Sequence, residues 1–253
     1  MDLISLADRV IVVTGVGQGI GTAIARNALA HGACVVGADI NGDTLDAIGR
    51  ALDPARFASL RGDVADPAFA AQVMTLARER FGGLHGLVNN AGVVRAAMIQ
   101  KMSHEQWRQV LDVNLTGAFN FLQAFGRDVL EAGEGAGAAI VNISSAAGRR
   151  GTIGQINYSA AKAALAGVTM SAAREWGKAG VRVNAVAFGL VETPMTERIR
   201  GEQFRDTYLA QIPMGRWSSA DEVSLPVLFL LSEGASYITG QQISVDGGYF
   251  MAA

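Results

Sequence analysis

The sequence predicts a single doubly wound α/β domain, with a parallel seven-stranded sheet covered by helices on both faces. Three observations predict it. Short β-branched runs alternate with longer segments of helical period along all 253 residues, which implies crossover connections between parallel strands. The strand candidates VIVV, CVVGA and AAIVNI are apolar throughout, as a sheet buried on both faces requires. The first strand runs straight into a glycine-rich turn and then a helix.

Taken in order, strand 9–13 precedes helix 20–31, strand 34–39 precedes helix 43–52, and strand 57–61 precedes helix 67–81. Strand 84–89 follows, then a helical stretch from 103 to about 132, strand 138–144, helix 157–179 and strand 181–187. A less regular stretch, 194–216, reads as an insertion over the substrate side, before helix 220–232 and strand 242–245 close the pattern. No repeat, linker or low-complexity tract divides residues 1–253, so one domain is expected.

Composition narrows the function classes. The chain is 50% hydrophobic and 17% charged, with a net charge of -2 and its arginines scattered, which gives no nucleic-acid surface. A single cysteine, Cys34, excludes an internal disulfide and a cysteine-built metal cluster, and it reads as a small apolar residue. No metal site is expected. The N-terminal MDLISLADRVIVVTG lacks the basic start of a signal peptide, and no apolar run reaches the roughly 20 residues of a membrane span. A cytoplasmic protein without a membrane partner is the expectation.

The turn after the first strand reads Thr14-Gly15-Val16-Gly17-Gln18-Gly19-Ile20-Gly21. Glycines let the backbone turn tightly and approach a pyrophosphate, which then lies on the free N–H groups at the positive end of the following helix. A glycine-rich turn without a ligand is the alternative; the strand–turn–helix context favours a dinucleotide. Asp39 ends the second strand, 18 residues after Gly21, where such folds place an acid on the adenosine ribose. Its charge would repel a 2′-phosphate and the turn carries no Arg or Lys to offset that, so NAD(H) is favoured over NADP(H).

The second constellation is Tyr158-Ser-Ala-Ala-Lys162 at the start of an apolar helix. Residues four apart share a helix face. A free phenol titrates near pH 10, and an ammonium beside it stabilises the phenolate and brings proton transfer towards neutrality. With four Tyr and only three Lys (Lys101, Lys162 and Lys178) in the chain, about 0.05 such pairs are expected from counts alone, a bland helical contact being the alternative. Ser145 lies thirteen residues earlier, at a strand end, where open α/β sheets place their sites. There it would present a hydroxyl to a substrate oxygen, although serines at strand ends also serve as turns and caps.

With these pieces in register, the sequence resembles a classical short-chain dehydrogenase/reductase along nearly its whole length. The matching motifs are 14–21, Asp39, Asp63-Val64, Asn89-Asn90-Ala91-Gly92, Asn114 in VNLTGAF, Ser145, Tyr158/Lys162, the stretch from Asn184 through Thr193-Pro194-Met195, and ITGQQISVDGG. The resemblance implies a Rossmann-type NAD(P) domain in which Gly15, Gln18, Gly19, Ile20 and Gly21 form the phosphate turn. It further implies that Asp63 and Val64 flank the adenine, that Asn90, Ala91 and Gly92 line the cofactor cleft, and that Val191 and Thr193 contact the nicotinamide side. Tyr158 would be the general acid for carbonyl reduction and the base for alcohol oxidation. Lys162 would lower its pKa and bind the nicotinamide ribose, Ser145 would orient the substrate oxygen, and Asn114 would hold a water linked to Lys162. Taken singly, Asn89 to Gly92 also read as a turn and Asn114 as a cap. Family members are usually tetramers paired through the long helices, here about 113–132 and 157–179; the Ala-rich 160–173 suits such packing, as it would a buried core.

One departure is Phe188-Gly189 where the family usually has Pro-Gly; losing the fixed proline φ would loosen the loop over the nicotinamide, or Phe188 would wall the substrate pocket. GQINYSAAKAAL, NNAGVVR and MGRWSSADEV are most similar to 3-oxoacyl-thioester reductases. Those enzymes generally prefer NADPH, which Asp39 opposes. They also dock an acyl carrier through a basic surface, where this chain reads Glu131-Ala-Gly-Glu134. Arg95, Arg149, Gln155 and Phe188 stand as candidate substrate contacts; Arg95 and Arg149, with Arg150, would suit an anionic substrate or would simply be solvated arginines. A sugar, polyol or small secondary alcohol is the alternative substrate class, and a non-catalytic nucleotide-binding regulator the alternative function.

Overall fold

The computed structural model describes residues 4–251. Its sheet contains β1 (Val10–Thr14), β2 (Cys34–Asp39), β3 (Phe57–Arg61), β4 (Gly86–Asn89), β5 (Ala139–Ser145), β6 (Arg182–Phe188) and β7 (Gln242–Val245). The strand order is β3-β2-β1-β4-β5-β6-β7, and every pairing is parallel. The helices are α1 (Gly19–Ala30), α2 (Gly42–Ala51), α3 (Pro67–Phe81), α4 (His104–Leu111), α5 (Gly117–Glu131), α6 (Ala147–Arg150), α7 (Ile156–Trp176), α8 (Glu197–Arg200), α9 (Glu202–Leu209) and α10 (Ala220–Leu231).

The unbroken apolar strands are explained by two cores, one on each face. In β1, Ile11 and Val13 pack with Ile24, Ala28, Val227 and Leu231 beneath α1 and α10, whereas Val10 and Val12 pack with Phe69, Val73, Phe121, Phe125 and Ala172 beneath α3, α5 and α7. Phe69 and Phe121 meet edge to face, their ring centroids 5.9 Å apart. Each large apolar side chain buried this way contributes about 1.5–3 kcal/mol, so a polar residue on either face of β1 would be costly.

The chain winds from β1 to β3 on one side, then crosses to β4 on the other side of β1. The carboxyl ends of β1 and β4 therefore flank a crevice, the position at which doubly wound sheets bind ligands.

Four local features differ from the sequence expectation. The helical stretch expected over 103–132 is broken into α4, a π turn over Asp112–Thr116 and α5. A single π turn sits inside an otherwise continuous helical stretch, and five residues are too few for an apolar period to set it apart. The short helix α6 follows β5 directly, where no element was expected. The irregular 194–216 contains α8 and α9, short helices with no buried residue and hence no strong apolar face to announce them. Finally, β6 extends to Phe188, whose register partners are Ser145 on one side and Val245 on the other. The chain at this position is held in the sheet, so the absence of proline does not loosen it.

Among the described residues, no helix is long and apolar enough to cross a membrane, and no cluster of His, Cys, Asp or Glu could hold a metal ion.

Candidate active site

A cleft of about 960 Å³ opens above the carboxyl ends of the strands. At one end lies the glycine turn. Gly15 takes a left-handed φ of 67°, and a Cβ on Gly21 would lie 2.1 Å from the Gly15 carbonyl oxygen, so α1 starts directly against the turn. The N-cap of α1, Gln18, makes no side-chain cap, and the first turn carries no acidic residue. Its initial N–H groups are thus left to an anion. The residues present fit a dinucleotide: a cradle that a side chain would fill, at an uncapped helix N-terminus.

Thr14 and Asn90 hold this cradle in place. The Thr14 hydroxyl oxygen accepts from the Asn90 and Ala91 amides, both at 3.0 Å, and Asn90 Nδ2 donates to the carbonyls of Thr14 (2.9 Å) and Gly15 (3.1 Å). Sequence reasoning did not single out Thr14; a hydroxyl on the last residue before the glycine turn was the available signal. Asp39, at the end of β2, accepts from the Gly17 amide at 2.8 Å through Oδ2 and from the Asn41 amide at 3.0 Å through Oδ1. Two backbone donors therefore fix its carboxylate on the cleft wall, with acceptor capacity remaining on both oxygens. Arg61, its register partner on β3, donates instead to the Ile40 carbonyl (3.2 Å) and lies against Gly42, outside the cleft lining.

The other end of the cleft is built by β5 and α7. Tyr158 and Lys162 lie one turn apart near the start of α7, with the amine 5.7 Å from the ring centroid. Lys162 is buried, and its Nζ donates to the Ile143 carbonyl at 2.6 Å. Burial brings its pKa down from the ordinary lysine value to about 8. Burial also raises the Tyr158 pKa, and a hydrogen bond from the Ser145 hydroxyl partly opposes that rise. Ser145 itself accepts from the Ala147 amide at 3.1 Å, which sets the start of α6. Amine, phenol and hydroxyl thus share one desolvated corner of the cleft, and together they can pass a proton to or from a bound oxygen.

The buried Asn114 belongs to the π turn, and both ends of its amide bond Val93: Oδ1 accepts from the Val93 N–H at 2.7 Å, and Nδ2 donates to the Val93 carbonyl at 2.9 Å. Gly92 lies between this amide and the Lys162 amine.

The cleft lining brings together Gly15, Gln18, Gly19, Ile20, Asp39, Asp63, Val64, Asn90, Ala91, Gly92, Arg95, Ser145, Tyr158, Lys162, Phe188, Val191 and Thr193. Gly21 and Asn114 stand just behind it. Arg149 and Gln155 are not in the lining. Arg149 donates to the Ser244 hydroxyl (2.7 Å) and lies over the Phe250 ring at 5.2 Å, while Gln155 is the N-cap of α7. Arg150 is likewise engaged, with Gln211 Oε1 at 3.1 Å and the Tyr249 ring at 4.4 Å. Conversely, Glu105, Arg108, Gln109 and Asp112 line the outer mouth. In sequence they resemble any solvated helix face.

The comparisons agree with this geometry. Residues 15–250 match a family model described as enoyl-(acyl carrier protein) reductase. The chain is 38% identical over 245 residues to the 3-oxoacyl-(acyl-carrier-protein) reductase of Thermotoga maritima, covering 96% of this chain and 98% of the relative. It is 40% identical over 248 residues to a 3-alpha-(or 20-beta)-hydroxysteroid dehydrogenase of Mycobacterium tuberculosis, covering 96% and 90%. A solved short-chain dehydrogenase/reductase described as a glucose/ribitol dehydrogenase, from Brucella melitensis, superposes with a TM-score of 0.91 at 34% identity, covering 97% of this chain and 98% of that one. A second, from Beutenbergia cavernae, was assigned provisionally as an NAD(P)-dependent gluconate 5-dehydrogenase and holds NADP at low occupancy; its TM-score is 0.88 at 37% identity, with 97% and 98% covered. Joined to the seven-stranded parallel sheet and its cleft, these matches establish that the chain belongs to the short-chain dehydrogenase/reductase family, oxidoreductases that bind a nicotinamide dinucleotide.

Proposed function

We propose that this chain is an NAD(H)-dependent oxidoreductase that interconverts a ketone and a secondary alcohol, with a 3-oxoacyl thioester and its 3-hydroxy product as the leading substrate pair. The observation that carries the reading is the desolvated Tyr158–Lys162 pair beside Ser145, in the same cleft as the glycine cradle. The nicotinamide, when bound, supplies or accepts the hydride. Ser145 holds the substrate oxygen against the phenol. For reduction Tyr158 gives its proton to that oxygen; for oxidation its phenolate takes the alcohol proton. Below about pH 8 Lys162 is an ammonium, and its charge favours the phenolate. Asn114 shapes the turn behind Lys162, beside which we place a water that returns the proton. Gly15, Gln18, Gly19, Ile20 and Gly21 would hold the pyrophosphate, Asp63 and Val64 the adenine, and Asn90, Ala91, Gly92, Val191 and Thr193 the remaining cofactor wall.

The choice of NAD(H) rests on Asp39, whose fixed carboxylate faces the cleft while Arg61 turns away. The NADP held by one solved relative points the other way. The thioester reading rests on the reductase relatives. A sugar or polyol alcohol is the second reading, favoured by the glucose/ribitol dehydrogenase neighbour. We further read residues 1–253 as one cytoplasmic domain with 194–216 as the substrate flap. A homotetramer paired through α5 and α7 suits the exposed Phe119 and Met170 on those helices.

The test is an absorbance assay at 340 nm with NADH and NADPH against acetoacetyl-CoA, and with NAD⁺ against polyols, sugars, hydroxy acids and secondary alcohols. Turnover with NADH is expected, and Tyr158→Phe should lower kcat by about 10²–10⁴-fold, the usual worth of a positioned general acid, while NADH still binds. Undiminished activity in Tyr158→Phe would refute the mechanism. An inert wild-type protein across the whole panel would favour a regulatory nucleotide-binding role.

A further inference from the structure

Beside Tyr158 stands a buried side chain that the proton transfer itself does not use. Asn157 is fully buried. Its Nδ2 donates to the carbonyls of Arg95 at 3.0 Å and Gln106 at 3.1 Å, and its Oδ1 accepts from the Tyr158 backbone N–H at 2.8 Å. An asparagine amide has two donor hydrogens, and both are committed here. The Tyr158 N–H is one of the initial helix donors that need an outside acceptor, and the N-cap, Gln155, makes no side-chain bond. Asn157 therefore does the work of a cap from inside the helix and, with the same amide, ties α7 to two other elements.

Those ties meet the cleft wall. Asn114 clamps both polar groups of Val93, Asn157 takes the Arg95 carbonyl, and the Ala97 N–H donates to the Gly154 carbonyl at 2.9 Å. Alternate residues of 93–97 are thus held in turn by the π turn, the start of α7 and the loop before it. Arg95 lines the cleft, and Asn157 is the side chain that joins its carbonyl to the backbone N–H of Tyr158.

We propose that Asn157 is a positioning residue: it registers the helix start that carries Tyr158 against the wall 93–97, and so holds the phenol on Ser145. The proposal rests on the reading of Tyr158 as the general acid and base. Removing the amide takes this partner from two carbonyls and one N–H in a partly buried place, and the first turn of α7 is then free to shift relative to Ser145.

The experiment compares Asn157→Ala, Asn157→Asp and Tyr158→Phe with wild type, using NADH and the carbonyl substrate reduced fastest in the panel above. NADH affinity, read by fluorescence, certifies that each variant is folded. In Asn157→Ala, kcat should fall 10- to 100-fold with NADH affinity within about twofold of wild type, and the pH profile of kcat should move. Asn157→Asp keeps the acceptor for Tyr158 but turns a carboxylate oxygen on two carbonyls. Protonation restores one donor, so its kcat should recover as pH falls, on a limb absent from wild type and from Asn157→Ala. If Asn157→Ala does not bind NADH, Asn157→Asp decides. Variants that bind NADH and keep wild-type kcat and pH profile would overturn the proposal while leaving the acid/base reading intact, provided Tyr158→Phe is inactive. An active Tyr158→Phe would remove both.

Discussion

The two ends of the cleft are built on opposite terms. At the nucleotide end the polar groups are satisfied by backbone: Asp39 by two amides, Thr14 by two more, Asn90 by two carbonyls. At the chemical end an amine and a phenol are desolvated together, and Lys162 has one hydrogen-bond acceptor, Ile143, among the described residues. The nucleotide end thus contributes to stability by the ordinary rule that buried polar groups are paired. The chemical end costs stability, because burial opposes the charge on which the proposed proton transfer relies.

The largest test of that contrast is Lys162→Met without cofactor. A shift from the ordinary 10.5 to about 8 corresponds to about 3 kcal/mol at 1.36 kcal/mol per pH unit, set against about 1 kcal/mol for the lost bond to Ile143. At pH 7 both the native and unfolded lysine carry the proton, so the native protein bears the full cost of a buried ammonium. Between pH 8 and 10 the native amine releases its proton while the unfolded one keeps it, and wild-type stability climbs with pH. The variant should therefore be more stable than wild type by about 2 kcal/mol at pH 7, about 4–8 °C in Tm, and the gap should close by pH 10. Denaturant melts at both pH values read it. A variant less stable than wild type at pH 7 would erase the distinction between the two ends.

A smaller effect is expected at Asp39. Asp39→Asn keeps an acceptor for the Gly17 amide and removes the charge. The ratio of NADPH to NADH dissociation constants should fall about tenfold, or roughly 1.4 kcal/mol, with most of the change in NADPH. Titration of both cofactors by fluorescence measures it. Tighter binding of NADPH than NADH by the unmodified protein would reverse the assigned role of this carboxylate and align the chain with its NADP-holding relative.

The nucleotide end is also the more legible of the two in sequence. A strand, a glycine turn, a helix start and an acid at a fixed spacing are all local, so Gly15 to Gly21 and Asp39 fall where the sequence puts them. The sheet was legible for a related reason, since strands covered on both faces must be apolar throughout, and only their ends moved, by one or two residues. Tyr158 and Lys162 were legible because four residues on a helix is also a local relation. What escaped depends on distant contacts. The π turn around Asn114 is invisible to an apolar period, and its amide faces Val93, 21 residues away in sequence. Asn157 looks like one more polar residue in NYSAAK until Arg95 and Gln106 arrive beside it from elsewhere in the chain. The arginines were the least legible. Charge suggested a mouth for an anion, whereas Arg149 and Arg150 are turned onto the C-terminal segment.

That last difference yields the smallest and most selective test. If the chemical end is bounded by a clasp rather than by a row of free cations, Arg149 supports the wall and takes no part in substrate affinity. Arg149→Ala then loses one bond to Ser244 and one cation–π contact with Phe250, about 0.5–1 kcal/mol together at so exposed a site. Its Tm should drop by about 1–4 °C, while the KM for acetoacetyl-CoA stays within twofold and does not become more sensitive to salt. A cation meeting a phosphate-bearing substrate would behave oppositely: KM would rise tenfold or more, the rise would be greatest at low ionic strength, where charge attraction is least screened, and Tm would hardly move. The second pattern would return Arg149 to the substrate, and would require the C-terminal segment to leave its ring contacts before that substrate could enter.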